Sequence, residues 1–198
     1  MLETLRLQRL HVGPIDLQAG AGTCVAIEGR SGSGKSVLLR MIADLDPHAG
    51  DAALDGEPCS RMPAPRWRQR VTYVAAATGW WYDTVAPHFE DGERLRALLP
   101  RVGLPAEAAG WEVARLSTGE RQRIALLRAL TPTHRVLLLD EPTSGLDAES
   151  TAQVEALLHD ELARGTIIVM VTHDPGQAGR LAHQRYLLAD GRLHENML

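Results

Sequence analysis

The octapeptide Gly29-Arg-Ser-Gly-Ser-Gly-Lys-Ser36 is the strongest indication of the fold in this sequence. It matches the phosphate-binding pattern G-x-x-x-x-G-K-[ST] in full, and it joins an apolar run, Thr23–Glu28, to a helical pattern, Lys35–Leu45. Its glycines let backbone N–H groups surround a phosphate at a helix N-terminus. We expect Lys35 to reach the β- and γ-phosphates and the Ser36 hydroxyl to hold Mg²⁺. The predicted nucleotide-binding residues of this loop are Gly29, Arg30, Ser31, Gly32, Ser33, Gly34, Lys35 and Ser36.

The ends of two other apolar runs carry side chains suited to phosphate chemistry. Val136–Asp140 ends in a carboxylate that can orient Mg²⁺, and Glu141 follows it as a candidate general base for an attacking water. His173 comes after the run Thr166–Val171, and its imidazole can donate to a γ-phosphate oxygen. Because parallel strands end at one edge of a sheet, we expect these side chains beside the phosphate loop. The predicted catalytic residues are Glu141, His173 and Lys35, and the predicted Mg²⁺ ligands are Ser36 and Asp140.

The composition of the 198-residue chain is that of an ordinary globular domain. Hydrophobic residues make up 44% and charged residues 23%, which supplies enough apolar material for one core. The formal net charge of −4 argues against binding nucleic acid through a basic surface. Cys24 and Cys59 lack zinc-site or disulfide spacing and fit a reducing compartment. The apolar runs are shorter than a membrane span, so we expect any membrane role to require a partner.

The order of apolar runs and helical patterns predicts the fold class. We expect an α/β P-loop NTPase whose mainly parallel sheet is flanked by helices, with an N-terminal antiparallel β element. The predicted strands are Thr4–Gln8, Thr23–Glu28, Asp51–Leu54, Val71–Val74, Val136–Asp140, Thr166–Val171, Tyr186–Ala189 and Arg192–Glu195. The predicted helices are Lys35–Leu45, Gly92–Leu99, Gly119–Leu130, Ala148–Ala163 and Pro175–Ala182.

One region interrupts this alternation. Between about 76 and 118 the composition turns to Gly, Pro, Trp, Ala and charged residues, with weak helical periodicity. We interpret it as a small helical lobe inserted into the sheet domain. A single domain is therefore expected over 1–198, with its core at about 1–75 and 119–198.

Five motifs in order carry a resemblance to a known family. They are GRSGSGKS at 29–36, LSTGE at 116–120, LLLDEP at 137–142, SGLD at 144–147 and VTHD at 171–174. Together they resemble the ATP-binding cassette family, the nucleotide-binding subunits of ABC transporters. The resemblance spans essentially the whole chain. It implies hydrolysis of ATP to ADP and phosphate with Mg²⁺, coupled to transport by a separate transmembrane permease on the cytoplasmic face of the cell membrane.

The resemblance also implies a dimer, either of identical chains or with another cassette. In that arrangement the phosphate loop of one subunit faces the signature segment of the other, with ATP between them, so that γ-phosphate joins the two subunits. The segment would offer a hydroxyl, a backbone N–H and a helix N-terminus to the partner's ATP. The implied signature residues are Ser117, Thr118, Gly119 and Glu120, and the implied inter-subunit loop is Ser144, Gly145, Leu146 and Asp147.

Four positions depart from the family pattern. Ala76 stands where a glutamine usually begins the lobe, and Thr118 and Glu120 replace a glycine and a glutamine of the signature. The aromatic residue that usually stacks on adenine is missing, and His11 is the candidate ring near the N-terminus. Just after Ala76, the run Trp80–Tyr82 either packs the lobe's own core or contacts the permease, and we expect one tryptophan in each role.

Three alternative functions would also account for some of these motifs. A soluble ABC ATPase without a transport role usually carries a coiled-coil insert or a second cassette, and this sequence has neither. A small P-loop kinase would have no use for the LSTGE and VTHD motifs. A degenerate regulatory module that binds ATP with little hydrolysis fits the departures at Ala76 and Thr118.

Overall fold

A computed structural model describes residues 1–196 of the chain, which form ten strands and six α-helices over that range. The strands are β1 (Leu2–Arg9), β2 (Val12–Ala19), β3 (Cys24–Glu28), β4 (Ala49–Leu54), β5 (Glu57–Pro58), β6 (Val71–Val74), β7 (Val136–Asp140), β8 (Ile167–Val171), β9 (Gln184–Ala189) and β10 (Arg192–Glu195). The helices are α1 (Lys35–Ile42), α2 (Ala64–Arg70), α3 (Gly92–Leu98), α4 (Thr118–Ala129), α5 (Ala148–Ala163) and α6 (Pro175–Leu181). None of these helices is long and apolar enough to cross a bilayer.

The larger sheet has the order β10-β9-β3-β8-β7-β6, and its strands are parallel except at the β10 edge. The central strands β7 and β8 are buried along their whole length because helices cover both faces of the sheet. One core lies between the sheet, α1 and the smaller sheet, and the other lies beneath α4, α5 and α6. The predicted parallel sheet flanked by helices is confirmed.

The smaller sheet is antiparallel, with the order β2-β1-β4-β5. It forms the expected N-terminal antiparallel element, and its inward side chains complete the core over α1. Strands β2 and β5 were not predicted from the sequence. In β2 the segment Val12–Ala19 contains Gly13 and Pro14, which disfavour a strand until the partner strand β1 supplies its hydrogen bonds.

The inserted lobe contains one α-helix, α3, and four short 3₁₀ turns between β6 and α4. Its buried side chains Leu95, Leu99 and Val102 join the same core as α4 and α5. The lobe is therefore packed onto the sheet domain through a shared core. The division of the chain into a core and a lobe at about 76 and 118 stays a prediction.

Five predicted helix ends differ from the structure by one to three residues, and one whole helix was not predicted. Helices α3, α4 and α6 each end one residue before the predicted end. Helix α1 ends at Ile42 rather than Leu45, since Asp44 adopts φ 52°, which a right-handed helix does not allow. Helix α4 begins at Thr118, one residue before the predicted start. Helix α2 was not predicted, because Pro63 before it, Pro65 within it and its three arginines indicate a loop, yet it buries Trp67 completely.

Candidate nucleotide site

The topology of the larger sheet brings three functional segments to one edge. Strands β3, β8 and β7 are parallel neighbours, so their carboxyl ends lie side by side. The phosphate loop follows β3, His173 follows β8, and Asp140 with Glu141 ends β7. In an open parallel sheet this edge is where ligands bind. The edge expected from the sequence is thus the edge that the fold assembles.

The phosphate loop adopts a conformation that two of its glycines make possible. Gly34 has φ 100°, and a Cβ there would lie 2.2 Å from Val12 Cγ2. Gly29 has φ 149°, and its Cβ would lie 2.6 Å from the Leu188 carbonyl oxygen. Any larger residue would push the loop away from the β2 strand or the β9 strand that supports it. The loop therefore presents backbone rather than side chains to a ligand.

Lys35 and Ser33 show that the loop fits a phosphate group. The Lys35 ammonium is buried and donates to the carbonyl oxygens of Gly29 at 2.7 Å and Arg30 at 3.0 Å. Burial lowers the pKa of Lys35, while the carboxylates of Glu141 and Asp140 act in the opposite direction. The Ser33 hydroxyl is buried and has no hydrogen-bond partner within residues 1–196. A buried cation and an unpaired hydroxyl are groups that phosphate oxygens would satisfy.

Asp140 is a buried carboxylate at the end of β7, with 6% of its surface exposed. Its Oδ2 accepts a hydrogen bond of 2.9 Å from the Tyr73 hydroxyl. Burial and the neighbouring Asp140 charge raise the pKa of Tyr73, so the phenol keeps the proton that it donates. The Ser36 hydroxyl at the start of α1 is exposed. Carboxylate and hydroxyl oxygens are hard donors that suit Mg²⁺, so Ser36 and Asp140 fit the predicted ion.

Glu141 and His173 are in direct contact. Glu141 Oε1 lies 2.8 Å from His173 Nε2, and both side chains are partly exposed. Glu141 has φ 52°, and its backbone N–H donates to the Val171 carbonyl oxygen at the end of β8. The amide of Gln122 on α4 donates to the Glu141 carbonyl oxygen. The sequence predicted both residues at this edge but did not predict their contact.

His11 lies in the turn between β1 and β2, on the rim of a cleft of about 670 Å³ beside the phosphate loop. The cleft is also lined by Arg30, Ser33 and the hairpin at Asp190 and Gly191. The His11 side chain is exposed, so its ring faces solvent rather than the core. This position next to the loop is compatible with the predicted contact to a nucleotide base.

The signature segment forms the N-terminus of α4 as a complete capping box. The Ser117 hydroxyl oxygen accepts from the Glu120 N–H at 3.2 Å, and Glu120 Oε2 accepts from the Ser117 N–H at 2.7 Å. The Ser117 hydroxyl also donates to Glu120 Oε2 at 2.8 Å. These hydrogen bonds from Ser117 lower the pKa of Glu120. The S-x-x-E pattern at 117–120 could have predicted this cap from the sequence.

Glu120 of the signature segment and the phosphate loop line two different clefts of residues 1–196. Glu120 lines a separate cleft near the end of the lobe, whereas the phosphate loop lines the one beside His11. Gly119 lies next to the predicted inter-subunit loop, since a Cβ there would be 2.9 Å from Leu146 Cδ2. Asp147, at the end of that loop, caps α5 by accepting from the Ser150 N–H at 2.7 Å. Ser144 and Gly145 are exposed in the same loop.

The capping box makes a measurable prediction at Glu120. We expect Glu120→Ala to lower the free energy of unfolding by about 0.5–1.5 kcal/mol, because the Ser117 N–H loses its acceptor. Glu120→Gln keeps an acceptor oxygen at the same position and should lose less. Urea unfolding of the three proteins at neutral pH checks this order, and equal stability of all three would contradict it.

Acidification should remove the stabilisation that the negative charge of Glu120 contributes to the fold. Because folding lowers the pKa of Glu120, its charge stabilises the fold above the ordinary glutamate pKa of about 4.3. That contribution is lost as the pH falls through the lower pKa of the folded state. The stability difference between the wild type and Glu120→Gln should therefore narrow below about pH 4.

Comparison with known proteins identifies relatives over most of the chain. A family model described as ABC transporter matches residues 12–144. The chain is 39% identical over 186 residues to the aliphatic sulfonates import ATP-binding protein SsuB of Corynebacterium glutamicum, covering 92% of this chain and 76% of that protein. It is 37% identical over 197 residues to the macrolide export ATP-binding/permease protein MacB 1/2 of Paracoccus denitrificans, covering 90% of this chain but 29% of that protein.

The fold is likewise that of a known structure. A dimeric structure of the ATP-binding cassette MJ0796, in a post-hydrolysis state bound to ADP and Pi, superposes with a TM-score of 0.81 at 24% identity. The match covers 100% of this chain and 99% of that one. The α/β fold expected from the sequence, with its parallel sheet and antiparallel element, is confirmed as an ATP-binding cassette fold.

Proposed function

The chain belongs to the ABC transporter family, and from that premise we propose that it binds and hydrolyses ATP as the nucleotide-binding subunit of a transporter. The observation that carries the proposal is the sheet edge where the phosphate loop, Asp140 and the Glu141–His173 pair meet. Two chains, or this chain and another cassette, close around two ATP molecules. A separate transmembrane permease anchors them at the cytoplasmic face of a membrane and uses the motion for transport.

Each side chain at the edge has a role that its surroundings support. The phosphate loop binds the β- and γ-phosphates through its backbone N–H groups and the buried Lys35 ammonium. Glu141 accepts the proton of the attacking water. His173 Nε2, which lies 2.8 Å from Glu141 Oε1 in this structure, donates to the γ-phosphate in place of Glu141 when ATP is bound. Ser36 and Asp140 would hold Mg²⁺, which when bound neutralises negative charge on the phosphate oxygens.

The second half of each site comes from the other subunit. Of the segment formed by Ser117, Thr118, Gly119 and Glu120, the Glu120 side lines a different cleft from the chain's own phosphate loop, in agreement with a ligand held by a second copy. The exposed loop from Ser144 to Asp147 lies beside Gly119 and would enter the same interface. In the proposed cycle the γ-phosphate contacts both subunits, and its loss on hydrolysis loosens the dimer.

We propose that the permease contacts a surface of the lobe. Trp81 and Tyr82 are 64% and 50% exposed, whereas Trp80 packs against the core. His88 Nε2 accepts from the backbone N–H groups of Trp81 and Tyr82 at 3.0 and 3.1 Å, and the Arg128 guanidinium lies 4.8 Å from the Trp81 ring centre. These contacts fix the backbone that carries the two exposed rings. Well-positioned aromatic side chains of this kind are common anchors of protein interfaces.

Subunit complementation tests the shared site directly. Lys35→Ala should disable the phosphate loop, and Gly119→Asp should place a negative charge where the partner's γ-phosphate binds. Each variant alone should bind and hydrolyse ATP poorly. In a mixed head-to-tail dimer both substitutions fall in one site and the other site is intact. A mixture of the two variants in equal amounts should therefore release more phosphate and bind more ATP than either variant alone.

Two controls decide how the mixture is interpreted. Differently tagged copies that elute together in ATP establish that mixed dimers form, and circular dichroism establishes that both variants are folded. No recovery of phosphate release or bound ATP in verified mixed dimers would rule out the shared site. Binding of ATP by the wild type without turnover, even with a permease present, would favour the regulatory module instead.

A further inference from the structure

Tyr73 lies on β6, the strand that leads into the lobe, and it contacts the carboxylate of Asp140. It lies opposite Leu138 in the parallel pair of β6 and β7, two residues before Asp140 on the neighbouring strand. Its ring packs against the core beneath α1, and its hydroxyl donates to Asp140 Oδ2 at 2.9 Å. The ring is thus fixed by packing, and the hydroxyl position follows from it.

A single donor on one oxygen is enough to orient this carboxylate. The terminal torsion of an aspartate is broad, so an unrestrained carboxylate samples many orientations. Tyr73 is the only side-chain donor to Asp140 within residues 1–196. With Oδ2 held by Tyr73, the rotation of the carboxylate is restricted and Oδ1 keeps a constant direction.

We propose that Tyr73 is a positioning residue that holds Asp140 in the orientation required to bind Mg²⁺ with ATP. The inference rests on the proposed function, because it assigns the partner of a metal ligand at that site. Hydrogen bonds from an outer residue to a ligating carboxylate fix its orientation, and their removal weakens metal affinity.

The other charged groups at this edge do not take over this role. Lys35 donates to the Gly29 and Arg30 carbonyl oxygens, and Glu141 contacts His173. Downstream of Tyr73, β6 leads into the lobe through Ala75 and Ala76, whose methyl groups offer no polar atom. Tyr73 is therefore the side chain of this strand that makes a polar contact with the metal-binding edge.

The test measures metal affinity rather than turnover. Tyr73→Phe keeps the packed ring and removes only the hydroxyl, and it is made in the 198-residue Glu141→Gln protein so that ATP is not consumed. Mn²⁺ is titrated in the presence of saturating ATP, and the bound ion is detected by electron paramagnetic resonance. We expect the half-saturating Mn²⁺ concentration to rise by about 10- to 100-fold, while ATP affinity in excess chelator stays unchanged.

Tyr186→Phe is the matched control. Tyr186 is also partly buried against the same core, and its hydroxyl makes no hydrogen bond within residues 1–196. This variant should titrate with Mn²⁺ as the parent does. The inference is overturned if Tyr73→Phe also titrates like the parent, or if it weakens ATP binding equally with and without metal. If the parent protein binds no ATP under any of these conditions, the proposed function fails and the inference fails with it.

Discussion

Replacement of Glu141 by Gln is expected to reduce phosphate release by about 10²- to 10⁴-fold while ATP binding is retained. Glutamine keeps an oxygen at the position of Oε1, which lies 2.8 Å from His173 Nε2, so the local contact survives. What is lost is the ability to accept a proton from the attacking water. ATP that cannot be hydrolysed should then hold two subunits together. Phosphate release and light scattering with saturating ATP measure the two effects.

Glu107→Gln is the control for this substitution, because Glu107 is exposed in the lobe and forms no ion pair within residues 1–196. It should hydrolyse ATP at the wild-type rate. Full turnover by Glu141→Gln would contradict its assignment as general base. A variant that loses turnover yet stays monomeric with ATP, even beside a permease, would contradict the proposed dimer.

Replacement of Trp67 by Ala is expected to destabilise the fold by about 3–5 kcal/mol. Trp67 lies on α2, is 0% exposed and is among the largest side chains in the core. Its indole N–H donates to the Ile42 carbonyl oxygen at 2.9 Å, at the end of α1. The substitution therefore leaves a cavity and also removes the donor to a carbonyl at the end of the helix that follows the phosphate loop.

Trp81→Ala is the matched comparison, since Trp81 is 64% exposed. Its loss should change the free energy of unfolding by no more than about 1 kcal/mol, which allows for the Arg128 guanidinium over its ring. Urea unfolding of both variants at the same protein concentration gives the difference. Similar costs for the two tryptophans would show that α2 does not close the core as its burial indicates.

The two tryptophans show which features of the structure sequence patterns cannot predict. Neither residue lies in a periodic pattern, and the segment around Trp67 has the proline and arginine content of a loop. Its burial depends on contacts with α1, which precedes it in the chain by more than twenty residues. The contact between Tyr73 and Asp140 could not be predicted for the same reason, because the two residues are 67 positions apart in the chain. Sequence patterns report periodicity along the chain and carry no signal for such pairs.

The sequence by itself determined the phosphate loop, the strands that carry Asp140 and His173, and the sheet edge where they meet. It did so because each is a short motif whose neighbours in the chain fix its conformation, and because parallel strands end on one side. Only the tertiary structure decided that Glu141 touches His173, that Tyr73 holds Asp140 and that Trp67 closes the core. Those contacts join residues distant in the chain, so their geometry exists only once the strands and helices have packed.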